Sequence, residues 1–335
     1  MMEKISILMP VYNAELYVEF SIKAILAQSY QNFELLICDD CSTDNTVDVL
    51  NSFNDDRIKI SHNAKNKGYL LTCNALAEMA VGEYITFQDA DDLASENRLS
   101  ILLSALKKND LDLVGSNVNY ISEQGNIIGR SFYPEHVDVN YLSKELMPFC
   151  GSSILCTKAV YQEIGLYDLA FDRMGAEDYD WVYRASIKFT LGNVEEPLYS
   201  YRMHAGSVSN VTSLTLSTQL FSEHIAKQLF MTRKNSAPLV ETSVFIAEQQ
   251  KLWEAYLKID ETPLLLKKSS INSLLGRHFS NTKILWELMF CKAPIGKKIR
   301  SISLLSLDLC LGYTRVFKLK TFYKKRIKNN RQVAQ

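Results

Sequence analysis

Several hallmarks of common protein classes are missing from this chain of 335 residues. Its seven cysteines are odd in number and irregularly spaced, which argues against a disulfide framework, and no Cys/His cluster suggests a zinc site. No window reaches the roughly 18 consecutive apolar residues of a membrane-spanning helix. No basic stretch leading into an apolar run opens the chain, so we expect no signal peptide. Free thiols fit a reducing compartment, and these absences together predict a cytoplasmic location.

Missing motifs argue against two further classes of protein. No G-x-G-x-x-G follows the first predicted strand, which argues against a nicotinamide-dependent dehydrogenase. The acidic segment 88–92 begins like an EF-hand calcium loop, but Leu93 and Ala94 follow it and the later ligands are missing. The remaining composition is that of an ordinary globular protein, with 47% hydrophobic and 22% charged residues. The length suits one large domain with an extension, or two domains.

The first 120 residues alternate between strand-like and helix-like segments. Short apolar runs rich in β-forming residues are each followed by a segment with apolar residues at helical spacing. Such alternation is typical of βαβ units, so we predict an α/β fold with a mainly parallel central sheet flanked by helices. The predicted strands cover residues 5–11, 33–40, 57–61, 83–89 and 112–118, and the predicted helices cover 15–29, 45–53, 68–80 and 96–108.

The pattern is less regular beyond residue 120. We predict a hairpin turn at 123–126, a strand leading into a short helix at 151–165, a helix at 175–187 and a strand at 197–204. Helices follow from about residue 214, with polar breaks near 234–238 and 260–263. We therefore divide the chain into a domain of residues 1–213 and a helical C-terminal extension of residues 214–335.

Polar residues stand at the ends of three predicted strands, at the edge where open α/β sheets bind ligands. Asn13 follows the first strand, and Asp39 and Asp40 end the second. Two carboxylates in this position can accept hydrogen bonds from a uracil N–H and a ribose hydroxyl. An Asp that only caps the following helix is the alternative.

Three further acids end the fourth strand: Asp89, Asp91 and Asp92. Their carboxylates repel one another unless a cation is present, and hard divalent cations prefer oxygen ligands and bridge to phosphate. A solvated acidic turn is the alternative. Farther along, Asp178 at a helix start is a candidate general base or a charge that favours the helix dipole. His204 is a candidate metal ligand or an ordinary histidine.

Together these segments support a more specific prediction. In chain order they read SILMPVYNAE, CDDCSTDNT, NKG, GEYITFQDADD, AEDYDW and YRMHAGSVS. This order and spacing resembles family 2 of the nucleotide-sugar glycosyltransferases over roughly residues 4–210. The resemblance is closest to bacterial enzymes that add β-linked GlcNAc, GalNAc or galactose to lipooligosaccharide and capsule. It implies a GT-A fold and an inverting, metal-dependent transferase that uses a UDP-sugar.

The resemblance also implies a role for individual residues. Asp178 would be the catalytic base, and a bound Mn²⁺ or Mg²⁺ would have Asp92, Asp91 and His204 as its ligands. Supporting roles would fall to Glu177, Asp44 and Arg202. The nucleotide-sugar would contact Pro10, Val11, Tyr12, Asn13, Asp39, Asp40, Asn66, Lys67, Gly68, Asp89 and Asp91.

Two positions depart from the family pattern. Cys41 stands where the family usually has glycine after the paired acids. Because Cys tolerates a positive φ poorly, we expect the loop to differ slightly in conformation. Cys73 stands where arginine is frequent, so we expect a diphosphate contact to be missing or supplied from elsewhere.

The C-terminal residues 292–335 contain twelve Lys and Arg but one acid, Asp308, a charge of about +11. Apolar residues are interleaved with the basic ones. Such an amphipathic segment predicts peripheral contact with an anionic membrane, which suits a lipid-linked glycan acceptor. A helix that packs on the core and exposes a basic face is the alternative. We expect no nucleic-acid partner, because no RNA- or DNA-binding motif accompanies the charge.

Other functions stay open at this point. One is a transferase that uses another donor, such as dTDP-rhamnose or UDP-glucose. Another is a non-catalytic relative that binds a sugar nucleotide, which would require a broken motif although the paired acids, the acidic cluster, Asp178 and His204 are all present. A hydrolase with two carboxylates is a third, but the acidic cluster suits a metal better.

Overall fold

A central sheet of ten strands organises the described part of the chain. The computed structural model describes residues 3–144, 147–204, 213–235 and 241–257, together with Lys297. The strands are β1 (Ile5–Val11), β2 (Phe33–Asp39), β3 (Ile58–His62), β4 (Tyr84–Phe87), β5 (Leu93–Ala94), β6 (Leu113–Ser122), β7 (Ile127–Arg130), β8 (His136–Val137), β9 (Leu155–Thr157) and β10 (Leu191–Met203). The helices are α1 (Val18–Leu26), α2 (Thr46–Asn51), α3 (Tyr69–Met79), α4 (Arg98–Lys108), α5 (Val139–Lys144), α6 (Lys158–Ile164), α7 (Glu177–Ser186), α8 (Ser213–Lys234) and α9 (Thr242–Leu257).

The order of the strands reverses at β1: β2 and β3 lie on one side of it, and β4 and the later strands lie on the other. The full strand order of the sheet is β3-β2-β1-β4-β9-β6-β10-β5, with β7 beside β6 and β8 beside β10. The first four strands are parallel, β9 is antiparallel to both of its neighbours, and β10 is parallel to β6. The crevice at such a reversal is where open α/β sheets bind their ligands. The predicted α/β fold with a mainly parallel sheet is confirmed.

Helices cover both faces of the sheet. This explains why β1 and β2 are buried at all of their positions and read as continuous apolar runs. On one face α1 and α4 pack through residues such as Ile22 and Leu102. On the other face α3, α7 and α8 share a second core that includes Leu76, Trp181 and Phe230. The strand ends are thus held in place from both sides.

The predicted elements of the first 120 residues are all present, and their ends differ by a few residues. The clearest difference is α1, which begins at Val18 instead of residue 15. The Glu15 carboxylate accepts hydrogen bonds from the backbone and side-chain N–H of Asn45, at 2.9 Å and 2.7 Å, and so lies outside the helix. The predicted turn at 123–126 joins β6 to β7, where the Ser122 N–H donates to the Asn126 carbonyl (2.8 Å).

One strand is longer than predicted, and another, β5, was not predicted. β10 begins at Leu191 instead of residue 197, and irregular pairing with β6 between Val194 and Tyr199 hides the alternation of its first half. β5 has only two residues, and Ala94 pairs with Tyr199 of β10 in antiparallel fashion. A strand of that length leaves no periodic pattern in a sequence.

The predicted C-terminal extension begins with α8 and α9. α8 ends at Lys234, where the polar break is predicted, and it packs in the same core as α7. The division at residue 213 stays a prediction. The predicted break at 260–263 and, apart from Lys297, the basic tail of 292–335 lie outside the described residues. Among the described helices, none is both long and apolar enough to cross a membrane.

Candidate active site

The carboxyl ends of β1, β2 and β4 lie side by side at one edge of the sheet. Val11 pairs with Asp39 in the register between β1 and β2, and Leu8 pairs with Phe87 in the register between β1 and β4. The Gln88 N–H donates to the Leu8 carbonyl (2.9 Å), which extends this pairing toward the segment of residues 88–92, called the acidic turn below. The three predicted polar strand ends are therefore neighbours in space.

Asp40 fastens the loop that carries the N-x-G segment. One carboxylate oxygen accepts from the Asn63 amide and the Lys67 backbone N–H, and the other accepts from the Gly68 N–H, all at 2.8 Å. The Asn66 side chain donates to the Asp40 carbonyl (3.2 Å). The structure thus brings the predicted residues 66–68 to Asp40, but through contacts within the protein that occupy both oxygens of its carboxylate.

Asn13 and Cys41 shape the adjoining loop with left-handed backbone conformations, at φ values of 49° and 64°. The Asn13 N–H donates to Ser42 Oγ (2.9 Å), and Asn13 Oδ1 accepts from the Thr43 N–H (2.8 Å). The expected departure from a glycine-like loop is therefore not seen at Cys41, since these hydrogen bonds hold it where glycine would be favoured. A Cβ in that region costs about 1 kcal/mol.

The remaining residues of the predicted nucleotide pocket differ in their exposure to solvent. Asp39 is buried, lies 3.5 Å from His62 Nδ1 and accepts weakly from the backbone N–H that follows Cys41. Pro10 and Val11 are buried within β1, whereas Tyr12 is 49% exposed. Of the three residues predicted to line the pocket beside β1, Tyr12 is thus the one whose ring is available to a base.

Asp89 is recessed among protein atoms at the end of β4. Its carboxylate accepts hydrogen bonds from Ser152 Oγ (2.5 Å) and from the Tyr69 hydroxyl (3.1 Å). Burial, and after it the neighbouring charge of Asp91, raise the pKa of Asp89 to about 6. A cation or a hydroxylated ligand at this carboxylate would favour its charged form.

Asp91 and Asp92 are both held by β10. The Asp91 carboxylate lies 2.9 Å from His204 Nε2, and the Arg202 backbone N–H donates to Asp92 Oδ1 (2.7 Å). The Arg202 guanidinium also donates to the Asp91 carbonyl (2.7 Å). Asp92 Oδ2 is buried without a well-formed hydrogen bond, and burial raises the pKa of Asp92 well above its usual range despite the nearby Tyr199 hydroxyl.

The donor set suits a cation that shares its coordination with a phosphate. Within the described residues no three His, Cys, Asp or Glu side chains converge on one point. Mg²⁺ and similar ions are commonly held by one or two protein ligands and complete their shell with waters and substrate phosphates. Asp91 and His204 form such a pair, and the unsatisfied oxygen of Asp92 lies in the same turn. The predicted ligands thus fit a metal–diphosphate site in which phosphate supplies further oxygens.

Two residues without a predicted role, Arg98 and Ser152, support the acidic turn through hydrogen bonds. Arg98 is fully buried and donates to Thr86 Oγ1 (2.7 Å), Gln88 Oε1 (3.0 Å) and the Ser152 carbonyl (2.6 Å). Ser152 in turn donates to Asp89. Arg98 begins α4, ten residues after Gln88, and lies within the helix predicted for residues 96–108. An arginine so close to an acidic cluster was the available signal.

Asp178 lies in the first turn of α7, against a one-turn 3₁₀ helix at Gly151–Ser153. Its Oδ1 accepts from the Tyr179 N–H (2.8 Å), and its Oδ2 faces Gly151, where an added Cβ would come within 2.5 Å. Ala176, just before the helix, has a left-handed φ of 66°. The carboxylate is therefore confined to a narrow position that only a glycine partner permits.

Glu177 and Asp178 are partly buried and keep some contact with solvent. Burial raises the pKa of each carboxyl group, and the charge of Asp178 raises the pKa of Glu177 further. Asp89 lies near enough to contribute repulsion to both. A carboxylate with a raised pKa is a stronger base, which is the property that general-base catalysis requires.

Known proteins with similar sequences identify the family to which this chain belongs. The model of the family described as Glycosyl transferase family 2 matches residues 6–165. The putative glycosyltransferase EpsE of Bacillus subtilis is 33% identical over 204 residues, which cover 59% of this chain and 73% of that protein. This chain belongs to glycosyltransferase family 2. The prediction of a glycosyltransferase is confirmed.

Two further proteins with similar sequences come from Escherichia coli. Both are named UDP-Glc:alpha-D-GlcNAc-diphosphoundecaprenol beta-1,3-glucosyltransferase. WfaP is 31% identical over 209 residues, covering 62% of this chain and 80% of that protein. WfgD is 36% identical over 175 residues, covering 52% of this chain and 66% of that protein.

Solved structures share the fold of this glycosyltransferase. TarS 1–349 of S. aureus superposes with a TM-score of 0.55 over 91% of this chain and 90% of that one, at 17% identity. A crystal structure of the same protein in complex with UDP gives a TM-score of 0.54 over the same shares of the two chains, at 17% identity. The complex with UDP-GlcNAc gives 0.55 over 91% of each chain, at 16% identity. At such low identity the likeness establishes the fold, which is the predicted GT-A-like architecture.

The family model matches only part of the candidate site. It includes the loops of Asp40 and Asp89, but it ends before α7 and β10 begin. The roles expected for Asp178 and His204 therefore depend on the geometry described above.

Proposed function

We propose that this glycosyltransferase moves a hexose or N-acetylhexosamine from a UDP-sugar to a hydroxyl of a lipid-linked surface glycan, with inversion at the anomeric carbon. The observation that carries the proposal is a pair of recessed carboxylates joined by one short segment. Ser152 donates to Asp89, and the adjacent Gly151 presses against Asp178. A donor at the acidic turn and an acceptor at α7 would thus meet in one cleft.

The nucleotide would bind between the loops that follow β2 and β3. Because three N–H groups already occupy the Asp40 carboxylate, we infer that Asp40 shapes the pocket and that Asp39 and the backbone contact the uracil. The exposed ring of Tyr12 would pack on the base. The names of the E. coli relatives specify UDP-Glc, and TarS binds UDP and UDP-GlcNAc, which supports a UDP-sugar over a dTDP-sugar.

A divalent cation, Mn²⁺ or Mg²⁺, would be held by Asp91 and His204 together with the diphosphate. When bound, it would offset the negative charge that develops on the leaving diphosphate. Asp92 is buried more deeply, and its bond to the Arg202 N–H fixes the turn. We infer that Asp91 is the outer ligand and that Asp92 completes the site from within.

Asp178 would remove the proton of the acceptor hydroxyl as the new C–O bond forms. The hydroxyl oxygen attacks the anomeric carbon from the side opposite the diphosphate, which departs with the bonding electrons. A single base and a direct displacement give a β-linked product from an α-linked donor. Holding both substrates in one cleft would supply much of the rate enhancement.

The acceptor is proposed to be lipid-linked. The names of WfaP and WfgD specify a GlcNAc-diphosphoundecaprenol acceptor. The basic amphipathic residues 292–335 would bring the enzyme to an anionic membrane surface on the cytoplasmic side, where such an acceptor is presented.

A donor panel tests the proposal directly. Purified enzyme with Mn²⁺ is incubated with UDP-Glc, UDP-GlcNAc, UDP-GalNAc, UDP-Gal, GDP-mannose and dTDP-rhamnose and a GlcNAc-diphospholipid acceptor, and release of nucleoside diphosphate is measured. We expect metal-dependent UDP release with one UDP-sugar and a β-linked product by NMR. Asp178→Asn should lower kcat about 10²- to 10⁴-fold while UDP still binds. Asp91→Asn should weaken metal-dependent UDP binding.

The matched control is Glu163→Gln, which neutralises an exposed carboxylate on α6 that pairs with Lys188. Its kcat should equal that of the wild type. If the enzyme used dTDP-rhamnose and none of the UDP-sugars, the assignment of a UDP-sugar as donor would be wrong. Failure to bind UDP by calorimetry with Mn²⁺, together with silence across the panel, would favour a non-catalytic relative.

A further inference from the structure

A buried charge cluster joins α8 to the helix that carries Asp178. At its centre is Asp180, which is fully buried in α7. One carboxylate oxygen accepts from Arg184 Nε (2.8 Å), and the other accepts a hydrogen bond from Arg233, in the last turn of α8. Both arginine side chains are largely buried, with 17% and 13% of their surface exposed.

The two arginines connect Asp180 to different parts of the molecule. Arg184 also donates to the carbonyls of Ile164 (2.6 Å) and Leu166 (2.9 Å), so it ties α7 to the end of α6. Arg233 ties α7 to α8. The first turn of α7 is thus held from two sides through one carboxylate.

α8 has a second polar contact on the other side of Asp178. Ser222 donates from α8 to the Met174 carbonyl (2.9 Å), in the loop that leads into α7. On α8, Phe230 lies between these two contact residues, and its ring stacks on that of Tyr183 with centroids 4.7 Å apart. α8 therefore forms hydrogen bonds with residues 174 and 180, and Asp178 lies between these two residues in the sequence.

We propose that Arg233 is a positioning residue for the base helix: through Asp180 it fixes the first turn of α7, and α8 therefore belongs to the catalytic unit. The role in catalysis rests on the function proposed above. Arg233 touches neither substrate nor Asp178. It acts by limiting how far the first turn of α7 can move relative to Gly151.

Stability alone is a poor explanation for this cluster. Arg184 already neutralises Asp180, and within the described part of the chain Arg233 has an ion pair with this same acid, so a second buried guanidinium adds a desolvation penalty without adding a new pair of opposite charges. Buried ionic groups of this kind are best known for fixing one arrangement of packed elements. Removing Arg233 leaves Asp180 paired with Arg184, so the variant keeps no isolated buried charge and should fold.

The test compares Arg233→Met, Arg233→Lys and a control, Lys188→Met, which breaks an exposed ion pair near the end of α7. Hydrogen exchange of the peptide spanning residues 174–186 is measured first, because it needs no substrate. We expect several-fold faster exchange of the hydrogen-bonded α7 amides from Asp180 onward in Arg233→Met, partial recovery in Arg233→Lys, and no change in the control; the Asp180 N–H donates to the Ala176 carbonyl at 3.0 Å. Unchanged exchange in Arg233→Met would overturn the proposal.

The second readout separates positioning from folding. With the donor found in the panel, kcat of Arg233→Met should fall about ten- to hundredfold, while the Kd for UDP stays within twofold and Arg233→Lys recovers part of the rate. Equal losses of kcat and UDP affinity would reduce Arg233 to a folding residue. If the wild type transfers no sugar at all, the proposed function fails, whereas the exchange result still decides whether Arg233 fixes α7.

Discussion

Substituting Gly151 by alanine should displace Asp178 and slow transfer without preventing nucleotide binding. The added Cβ would lie 2.5 Å from Asp178 Oδ2, 3.0 Å from its Cβ and 3.1 Å from its Cγ. Carbon contacts are comfortable at about 3.5 Å, so the carboxylate must retreat by about 1 Å. A misplacement of that size costs about a hundredfold in rate when it affects a reacting group. Overpacking should also lower stability by about 1–3 kcal/mol.

The assay is kcat at saturating donor and acceptor, with the Kd for UDP and the unfolding midpoint measured in parallel. Gly82→Ala is the matched control, because its Cβ would meet the Lys4 carbonyl at 2.7 Å and overpack the sheet without any contact to Asp178. We expect both variants to lose stability and only Gly151→Ala to lose kcat. A Gly151→Ala enzyme with wild-type kcat would refute the assignment of Asp178 as the base.

Three further predictions address other parts of the site. Because folding raises the pKa values of Glu177 and Asp178, the folded state binds more protons than the unfolded state. Stability should therefore fall as the pH rises from about 4, the ordinary carboxyl range, through the raised values, and thermal scans of Asp178→Asn should show a smaller fall. Cys41→Gly should stabilise the protein by about 1 kcal/mol in denaturant titrations, because φ is 64° there, whereas Cys41→Ala should not. The Tyr17 ring lies 4.8 Å from that of His204, so Tyr17→Ala should weaken Mn²⁺-dependent UDP binding in calorimetry more than Tyr17→Phe, and equal effects would contradict a positioning role for the ring.

Much of the sheet could be predicted because its signals are local. Each early strand is a short apolar run, and each early helix has its own apolar spacing. The meeting of Asn13, Asp40 and Asp89 also followed from the sequence, since parallel strands bring their carboxyl ends to the same edge. The same reasoning could not say what each carboxylate touches. Asp40 was expected to contact uracil, but its carboxylate accepts hydrogen bonds from the loop at 63–68.

The parts that escaped prediction are those fixed by long-range contacts. Arg98 and Ser152 stand alone in the sequence, and their importance appears only when β4 and the Gly151–Ser153 turn are packed together. The link between Asp180 and Arg233 joins residues 53 positions apart in elements that show no shared motif. Such contacts depend on tertiary packing, which residue spacing along one element does not report.

The reliance of the acidic turn on β10 has a consequence for how the enzyme is made. Tyr199, Arg202 and His204 contact Asp89, Asp92 and Asp91 across sequence separations of 110, 110 and 113 residues. A ribosome builds a chain from its N-terminus, and domains tend to fold in that order. A nascent chain that has just exposed β4 thus presents a carboxylate-rich turn that still lacks its contacts with Tyr199, Arg202 and His204. Donor recognition would be acquired late in translation, when β10 joins the sheet, and incomplete chains would leave the cell's sugar nucleotides untouched.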